Sequence, residues 1–417
     1  MVGYRNQQAR ARAAFIAKGG GITAPPAIAR IKASAARGLS PITGVMSPAP
    51  TITVGGGTST LSGATNAFGV GQYQITDPAA FTPMNATIAV KGTNGYGLRT
   101  MTGNVATAAR RAGAGGGWAT RTSAPSIDFV CQAGGAKLAV YATDVLTGVR
   151  ARVSPNDIVG NGTFNQYFTI AFGSARDRII EVYNGPSGND AQGVYRGATD
   201  FRGVNCTTGY TLQAPPLDLI PARVLLLGDS HADHAGSGNT NELKLAYPDF
   251  LAERLGTPFI WTSAANGTGF LNPVGTSGTY RQRVEDGDLS PSVVGQMDLT
   301  IFAGTTNDDL SLNAAFTDAA IQAEVQWCVE QALAQQPTSL VVVVGPHVSN
   351  TIGATQSRYD AMKAGVLAAN GGQRALFIDN SPSGSPIITP ANKATVIGPD
   401  GTHWTSPGHA DRRLRCR

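Results

Sequence analysis

The sequence predicts a multidomain chain: an N-terminal basic arm, then an all-β sandwich, then an α/β three-layer domain built on a parallel sheet. Three observations predict it. Glycine is abundant, at 52 of 417 residues, and only 14% of residues are charged, which suits a β-rich or α/β protein with many tight turns and excludes a coiled coil or a disordered chain. The first half carries short alternating strands between turn residues. In the second half, continuously apolar strands alternate with helices. The length accommodates two or three domains.

The arm, residues 1–50, carries seven Lys/Arg and no acid. Ala-rich segments at Gln7–Lys18 and Ala27–Arg37 are predicted helices, separated by Gly19-Gly20-Gly21 and Pro25-Pro26. The charge asymmetry extends further: residues 1–127 hold twelve Lys/Arg against the single acid Asp77. Such a segment has little apolar surface to offset its chain entropy, so it is expected to dock on a larger assembly such as a virion. The alternative is a solvated tail. The apolar stretch Ala13–Ala17 is shorter than the roughly 7–15 residues of a secretory leader. Localisation is undecided by sequence, with a virion or extracellular setting as the expectation. No apolar run approaches the roughly 18 residues that cross a bilayer, so no membrane partner is expected, and no nucleic acid either.

Residues 51–211 are the expected sandwich, with a possible role in carbohydrate binding. Its predicted strands are Thr51–Val54, Ala86–Val90, Ser126–Cys131, Lys137–Tyr141, Gln166–Ala171 and Arg178–Tyr183, and Gly115-Gly116-Gly117 reads as a joint or tight turn. The Pro-rich segment 212–221, "LQAPPLDLIP", reads as a linker. From 222 to 417 the predicted strands are Arg223–Leu227, Phe259–Thr262, Leu299–Ala303, Leu340–Val344 and Ala375–Asp379. Helices are predicted at Asn241–Leu255, Asn313–Gln335 and Gln356–Asn370. The four cysteines, Cys131, Cys206, Cys328 and Cys416, form no C-x-x-C pair. No zinc site is expected, and a Cys131–Cys206 bridge stays open.

In open parallel sheets, ligands bind beyond the carboxyl ends of the strands. The first strand ends in Gly228-Asp229-Ser230, the second leads to Ala264-Ala265-Asn266-Gly267-Thr268-Gly269, and the third runs into Gly304-Thr305-Thr306-Asn307-Asp308. The chain closes with Asp400-Gly401-Thr402-His403. Ser230, at a strand exit, is a candidate nucleophile and His403 its base. Asp400, three residues earlier, can face the same side of a turn and orient the imidazole. The Ser230 N–H, the Gly267 N–H and the Asn307 amide would make a three-donor oxyanion hole. His231, Asp233 and His234 lie close to the serine, but loop polarity and capping account for them, and neither a metal nor another cofactor is expected. Trp404 either lines a pocket or sits in the core, and His409 follows the loop.

These four ordered blocks resemble the SGNH hydrolase superfamily, the GDSL-type esterases and lipases, over residues 223–411. "MDLTIFAGTTND" is similar to the family's third strand and block, and "DGTHWTSPGHA" to its terminal D-x-x-H loop. Family spacing favours Gly267 over Gly269. Thr305 departs from the pattern, standing where the family has glycine, and the final segment "RRLRCR" is short. The stretch from Ala139 to Tyr183 is similar in pattern to the jelly-roll module of some carbohydrate-deacetylating esterases. The resemblance implies an ester hydrolase, a serine esterase removing a short acyl group, most simply acetyl, from a carbohydrate or surface polysaccharide. Two alternatives stand beside it: a structural or glycan-binding phage tail or spike protein with little catalysis, and a lipase or thioesterase of the same superfamily.

Overall fold

The computed structural model describes residues 26–37, 46–56, 73–74, 82–84, 86–90, 96–100, 117–132, 137–154, 158–159, 165–184, 199–207, 209–216, 221–232, 248, 251, 254–257, 260–273, 278–291, 296–304, 306–309, 312–346, 355–381 and 383. Between positions 51 and 206 they form two antiparallel sheets. In spatial order, one sheet runs Thr51–Gly56, Asn165–Ala171, Ser126–Gln132, Thr199–Cys206, Tyr96–Thr100 and Ala86–Val90, with Tyr73–Gln74 on the fourth strand. The other runs Ile158–Val159, Lys137–Asp144, Arg178–Asn184, Gly117–Thr122 and Thr82–Met84, with Arg150–Arg152 paired on the second.

Alternation along the strands builds one core between the sheets. Ile127, Phe129, Phe168 and Ile170 enter it from the first sheet, and Trp118, Val140, Ile180 and Val182 from the second. Phe129 stacks on Phe168 at 5.0 Å and meets the edge of Trp118 at 5.8 Å, so an aromatic trio spans the two layers. The sandwich is therefore present as expected, with more strands than the sequence suggested. Thr199–Cys206, Gly117–Thr122 and Tyr96–Thr100 escaped prediction because Gly, Arg and Asp interrupt their alternation. The segment read as a linker begins later than expected: Leu212 is buried in the sandwich core and Gln213 exchanges backbone hydrogen bonds with Arg121. Register also closes the cysteine question. Cys131 pairs with Phe201 and Cys206 with Ile127 in the backbone register, so the two backbone positions lie four rungs apart, about 13 Å along the strands and beyond the Cα separation a disulfide bridges. Cys206 is a free thiol bonded to the Tyr210 carbonyl.

The second half holds a five-stranded parallel sheet: β1 (Val224–Gly228), β2 (Trp261–Ala264), β3 (Leu299–Ala303), β4 (Leu340–Val344) and β5 (Ala375–Ile378), in the order β2-β1-β3-β4-β5. Four helices are named here: α1 (Pro26–Arg37), α2 (Tyr280–Glu285), α3 (Asp318–Gln335) and α4 (Gln356–Ala368). On one face Leu225, Leu227, Phe302, Val341 and Val343 pack against Ile321 and Val325 of α3 and Met362 and Val366 of α4. On the other, Val224, Leu226, Ile301, Val342 and Val344 meet Leu251, Leu255 and Ile31. Helix α3 starts five residues later than predicted, because Thr317 is extended (φ −70°, ψ 161°) and its hydroxyl caps the Ala320 N–H. Strand β2 starts two residues after the predicted Phe259.

Ile31 belongs to α1, the helix expected at 27–37 inside the arm. The expectation that this segment finds order only on a separate partner is corrected, because α1 lies against the chain's own α/β sheet. The Arg30 guanidinium forms a two-pronged pair with Asp298, at 2.7 and 3.0 Å. The Ser34 hydroxyl donates to Gly256 O and accepts from Ala222 N. Gly256 sits at φ +61°, and a Cβ there would lie 2.0 Å from Ser34 O, so only glycine admits this approach. Burial pushes the Asp298 carboxyl up, but hydrogen bonds from Arg30 and the Arg223 charge outweigh it and hold the group below the usual carboxylate range. Arg30→Ala should therefore lower the unfolding free energy by about 2–3 kcal/mol, less than a wholly stranded buried charge costs because Arg223 remains. Urea unfolding of the full chain measures this, and an unchanged midpoint would show that α1 contributes nothing to the domain.

Candidate functional site

Strand β1 is buried along its whole length, so the chain must leave the sheet where it can expose polar groups. It does so at Asp229-Ser230-His231. The Asp229 carboxylate accepts the His231 N–H at 2.9 Å and lies 3.3 Å from the His231 ring nitrogen, while Ala232 N bonds to Asp229 O. This compact turn fixes the backbone on both sides of Ser230 and engages His231 locally, in line with its reading as a turn residue.

Beyond β2 the ladder continues one step, Ala265 N donating to Gly228 O, and the chain then turns tightly. Gly267 sits at φ +72°, a conformation that side chains resist. Thr268 N–H bonds to Ala265 O and Gly269 N–H to Asn272 O. Gly269, the alternative to Gly267, thus has its N–H committed. The Asn272 amide donates to Gly267 O and braces the turn.

Beyond β3, Asn307 joins the two turns. Its Nδ2 donates to Thr268 O at 3.0 Å and lies 3.5 Å from the Asp229 carboxylate. Three segments distant in sequence thereby meet at one place. Its neighbour Asp308 turns inward: its carboxylate accepts the N–H groups of Phe270, Leu271 and Asn272 at 2.8–3.0 Å. Burial pushes the Asp308 carboxyl up to about 6, against the downward pull of those donors. A Cβ on Gly269 would lie 2.3 Å from the same carboxylate, so Gly269 is glycine for space.

The structure therefore brings Asn307 against Asp229 and Thr268, the chain neighbours of Ser230 and Gly267. Asp400 and His403 lie outside the described residues, as do Asp233, His234, Thr305, Trp404 and His409. Among the described residues no cluster of three or more His, Cys, Asp or Glu side chains could hold a metal ion, and no helix is long and apolar enough to cross a membrane. Two supporting residues went unassigned in the sequence, Asp308 and Arg283. Adjacency to Asn307 pointed to the first. Nothing local pointed to Arg283, a cation in a short polar helix that is buried only through tertiary contacts.

No curated protein matches this sequence. Among solved structures, the chain is similar to the salicylyl-acyltransferase SsfX3 from a tetracycline biosynthetic pathway, at 13% identity and a TM-score of 0.49, covering 83% of this chain and 95% of that one. It is also similar to a family two carbohydrate esterase from Clostridium thermocellum in complex with cellohexaose (13% identity, TM-score 0.46, 81% and 96% covered). A third is an acetyl xylan esterase, Est2A, from the rumen bacterium Butyrivibrio proteoclasticus (10% identity, TM-score 0.47, 83% and 96% covered). The model of the GDSL-like Lipase/Acylhydrolase family matches residues 226–410, which span the Ser230 turn, the Gly267 turn and the Asn307 loop. Over its α/β part this chain is therefore similar to the GDSL-like lipase/acylhydrolase family, the SGNH type.

Proposed function

We propose that the protein is a serine esterase that removes a short acyl group, acetyl in the first instance, from a carbohydrate. The observation that carries this reading is Asn307, whose carboxamide sits between the turn bearing Ser230 and the turn bearing Gly267. Donors converging from separate loops on the neighbourhood of a serine suit a tetrahedral oxyanion.

In this reading Ser230 Oγ attacks the ester carbonyl carbon while His403 takes the hydroxyl proton, with Asp400 orienting the imidazole. The oxyanion accepts hydrogen bonds from Ser230 N–H, Gly267 N–H and Asn307 Nδ2, which keeps its 3.0 Å bond to Thr268 O and exchanges the longer, 3.5 Å contact with the Asp229 carboxylate for the oxyanion. Collapse breaks the bond to the sugar oxygen, which leaves with the proton from His403 and an acyl-Ser230 behind. Water, deprotonated by His403, then attacks the acyl carbon, releases the carboxylic acid and restores the serine. The sugar half of the proposal is supported by the β-sandwich ahead of the domain, similar in pattern to the module of carbohydrate-deacetylating esterases.

The basic, acid-free first fifty residues support a further role as a tail or spike component of a phage-like particle. With α1 engaged on the sheet, docking falls to residues 1–25. Deleting residues 1–25 should leave specific activity unchanged and release the protein from the particle, and a loss of activity would reject that division of labour.

Ser230→Ala should abolish hydrolysis of p-nitrophenyl acetate with the fold intact by circular dichroism. Wild-type turnover in the folded variant would end the esterase reading. Asn307→Ala should lower kcat by about 10²–10³, the usual loss for one oxyanion donor, and an effect confined to KM would instead make Asn307 a substrate-binding group. Acetyl esters should exceed octanoyl esters in kcat/KM, because the sequence carries no long apolar lid segment. The reverse ranking would favour the lipase or thioesterase alternative.

A further inference from the structure

Helix α2 brings one cation beneath the site. The helix opens on a reciprocal cap, in which Thr279 Oγ1 accepts from Gln282 N and Gln282 Oε1 accepts from Thr279 N. Its first residue ties it to the crevice: Tyr280 N donates to Gly269 O, and the Tyr280 hydroxyl donates to Ala303 O at the end of β3. One turn on, Arg283 points into the protein and is 1% exposed. Its Nη1 donates to Ser263 O at 2.6 Å and to Gly228 O at 3.1 Å. Its Nη2 donates to Gly228 O at 3.1 Å and to Thr268 Oγ1 at 3.3 Å. The guanidinium carbon lies 4.5 Å from the Tyr280 ring centroid.

These acceptors are informative in what they connect. Gly228 ends β1, two residues before Ser230. Ser263 lies near the end of β2. Thr268 directly follows Gly267, and its hydroxyl proton is directed to Ala265 O at 2.7 Å, which leaves an oxygen lone pair for Arg283. A guanidinium is planar and charged at any working pH, and it presents its N–H groups in a fixed fork. Where two loops alone would let the Ser230 and Gly267 turns drift apart, one rigid group spans them.

We propose that Arg283 is a positioning residue of the acyl transfer, holding the Gly267 turn at a fixed distance from the strand end that presents Ser230. The proposal rests on the esterase reading, in which Gly267 donates to the oxyanion. Preorganised donors lose their effect when displaced, and a misplacement of about 1 Å can cost about 10²-fold in rate. Arg283→Lys keeps a buried cation but loses the planar fork, so it separates positioning from mere charge.

The test uses the full chain and p-nitrophenyl acetate. Arg283→Lys should lower kcat by about 10–100-fold with KM within about 2-fold, the pattern of a contact that matters in the transition state. Affinity for a boronic acid that forms a tetrahedral adduct with the serine should weaken by a factor similar to the loss in kcat/KM, a correspondence that a general loosening of the fold would not produce. Thr268→Val removes one of the tied acceptors and should lower kcat by about 3–10-fold at unchanged KM, less than loss of the whole fork because Gly228 O and Ser263 O still hold the guanidinium. A folded Arg283→Lys with wild-type kcat and boronate affinity overturns the proposal. If Arg283→Lys does not fold, wild-type kcat in Thr268→Val overturns it. Ser230→Ala is assayed in parallel: turnover there at the wild-type level rejects the esterase reading itself, whereas Ser230-dependent turnover unaffected by Arg283→Lys rejects only the role of Arg283.

Discussion

A buried carboxylate organises the crevice. Asp308 is removed from water, and a charge so placed requires several donors to offset its lost hydration. It obtains them from three consecutive backbone N–H groups, Phe270 to Asn272, which bends the chain after β2 into a tight reversal. The reversal brings residue 269 so close to the carboxylate that a side chain has no room. It also places the Gly267 turn beside Asn307, the residue before Asp308. One ion-to-backbone interaction thus determines where two of the three proposed donors stand.

The crevice is also tied from below. Arg283 links the ends of β1 and β2 with the same turn, and Tyr280 links the turn to the end of β3. Cation and anion approach the segment 265–272 at different points. Neither contributes a group to the proposed chemistry, yet together they replace loop entropy with fixed geometry. Electrostatic stabilisation of a transition state depends on such rigidity, because donors that must reorganise during the reaction lose much of their effect.

Helix α1 shows a comparable economy at the scale of the whole chain. It precedes the sandwich in sequence but covers the far face of the α/β sheet, through Ile31 and the pair Arg30–Asp298. Asp298 immediately precedes β3 and also accepts from Arg223, the residue before β1. The helix therefore seals the amino ends of the two central strands, opposite to the ends that carry the site.

The parallel sheet was legible in the sequence because buried strands such as Leu299–Ala303 and Leu340–Val344 are continuously apolar, and no other element of that length has a reason to be. Ser230, Gly267 and Asn307 could be proposed from the sequence because each follows such a strand, at the end where loops converge. The sandwich was recognisable as a class, but half of its strands were not, since Thr199–Cys206 and Gly117–Thr122 are held by neighbours across the sheet and not by their own alternation. The destination of Ala27–Arg37 was invisible for a related reason. Its basic, Ala-rich composition allows a helix and leaves the surface it covers open, and only the position of Asp298 resolves that. Arg283 is the sharpest case: in "YRQRVE" it reads as a solvated helix cation, and it becomes buried only when two strand ends and the turn after β2 present their carbonyl and hydroxyl oxygens to it. Local sequence determined which elements form and which residues stand at their ends. Tertiary structure decided which polar groups meet, because burial and hydrogen bonding are set by partners far along the chain.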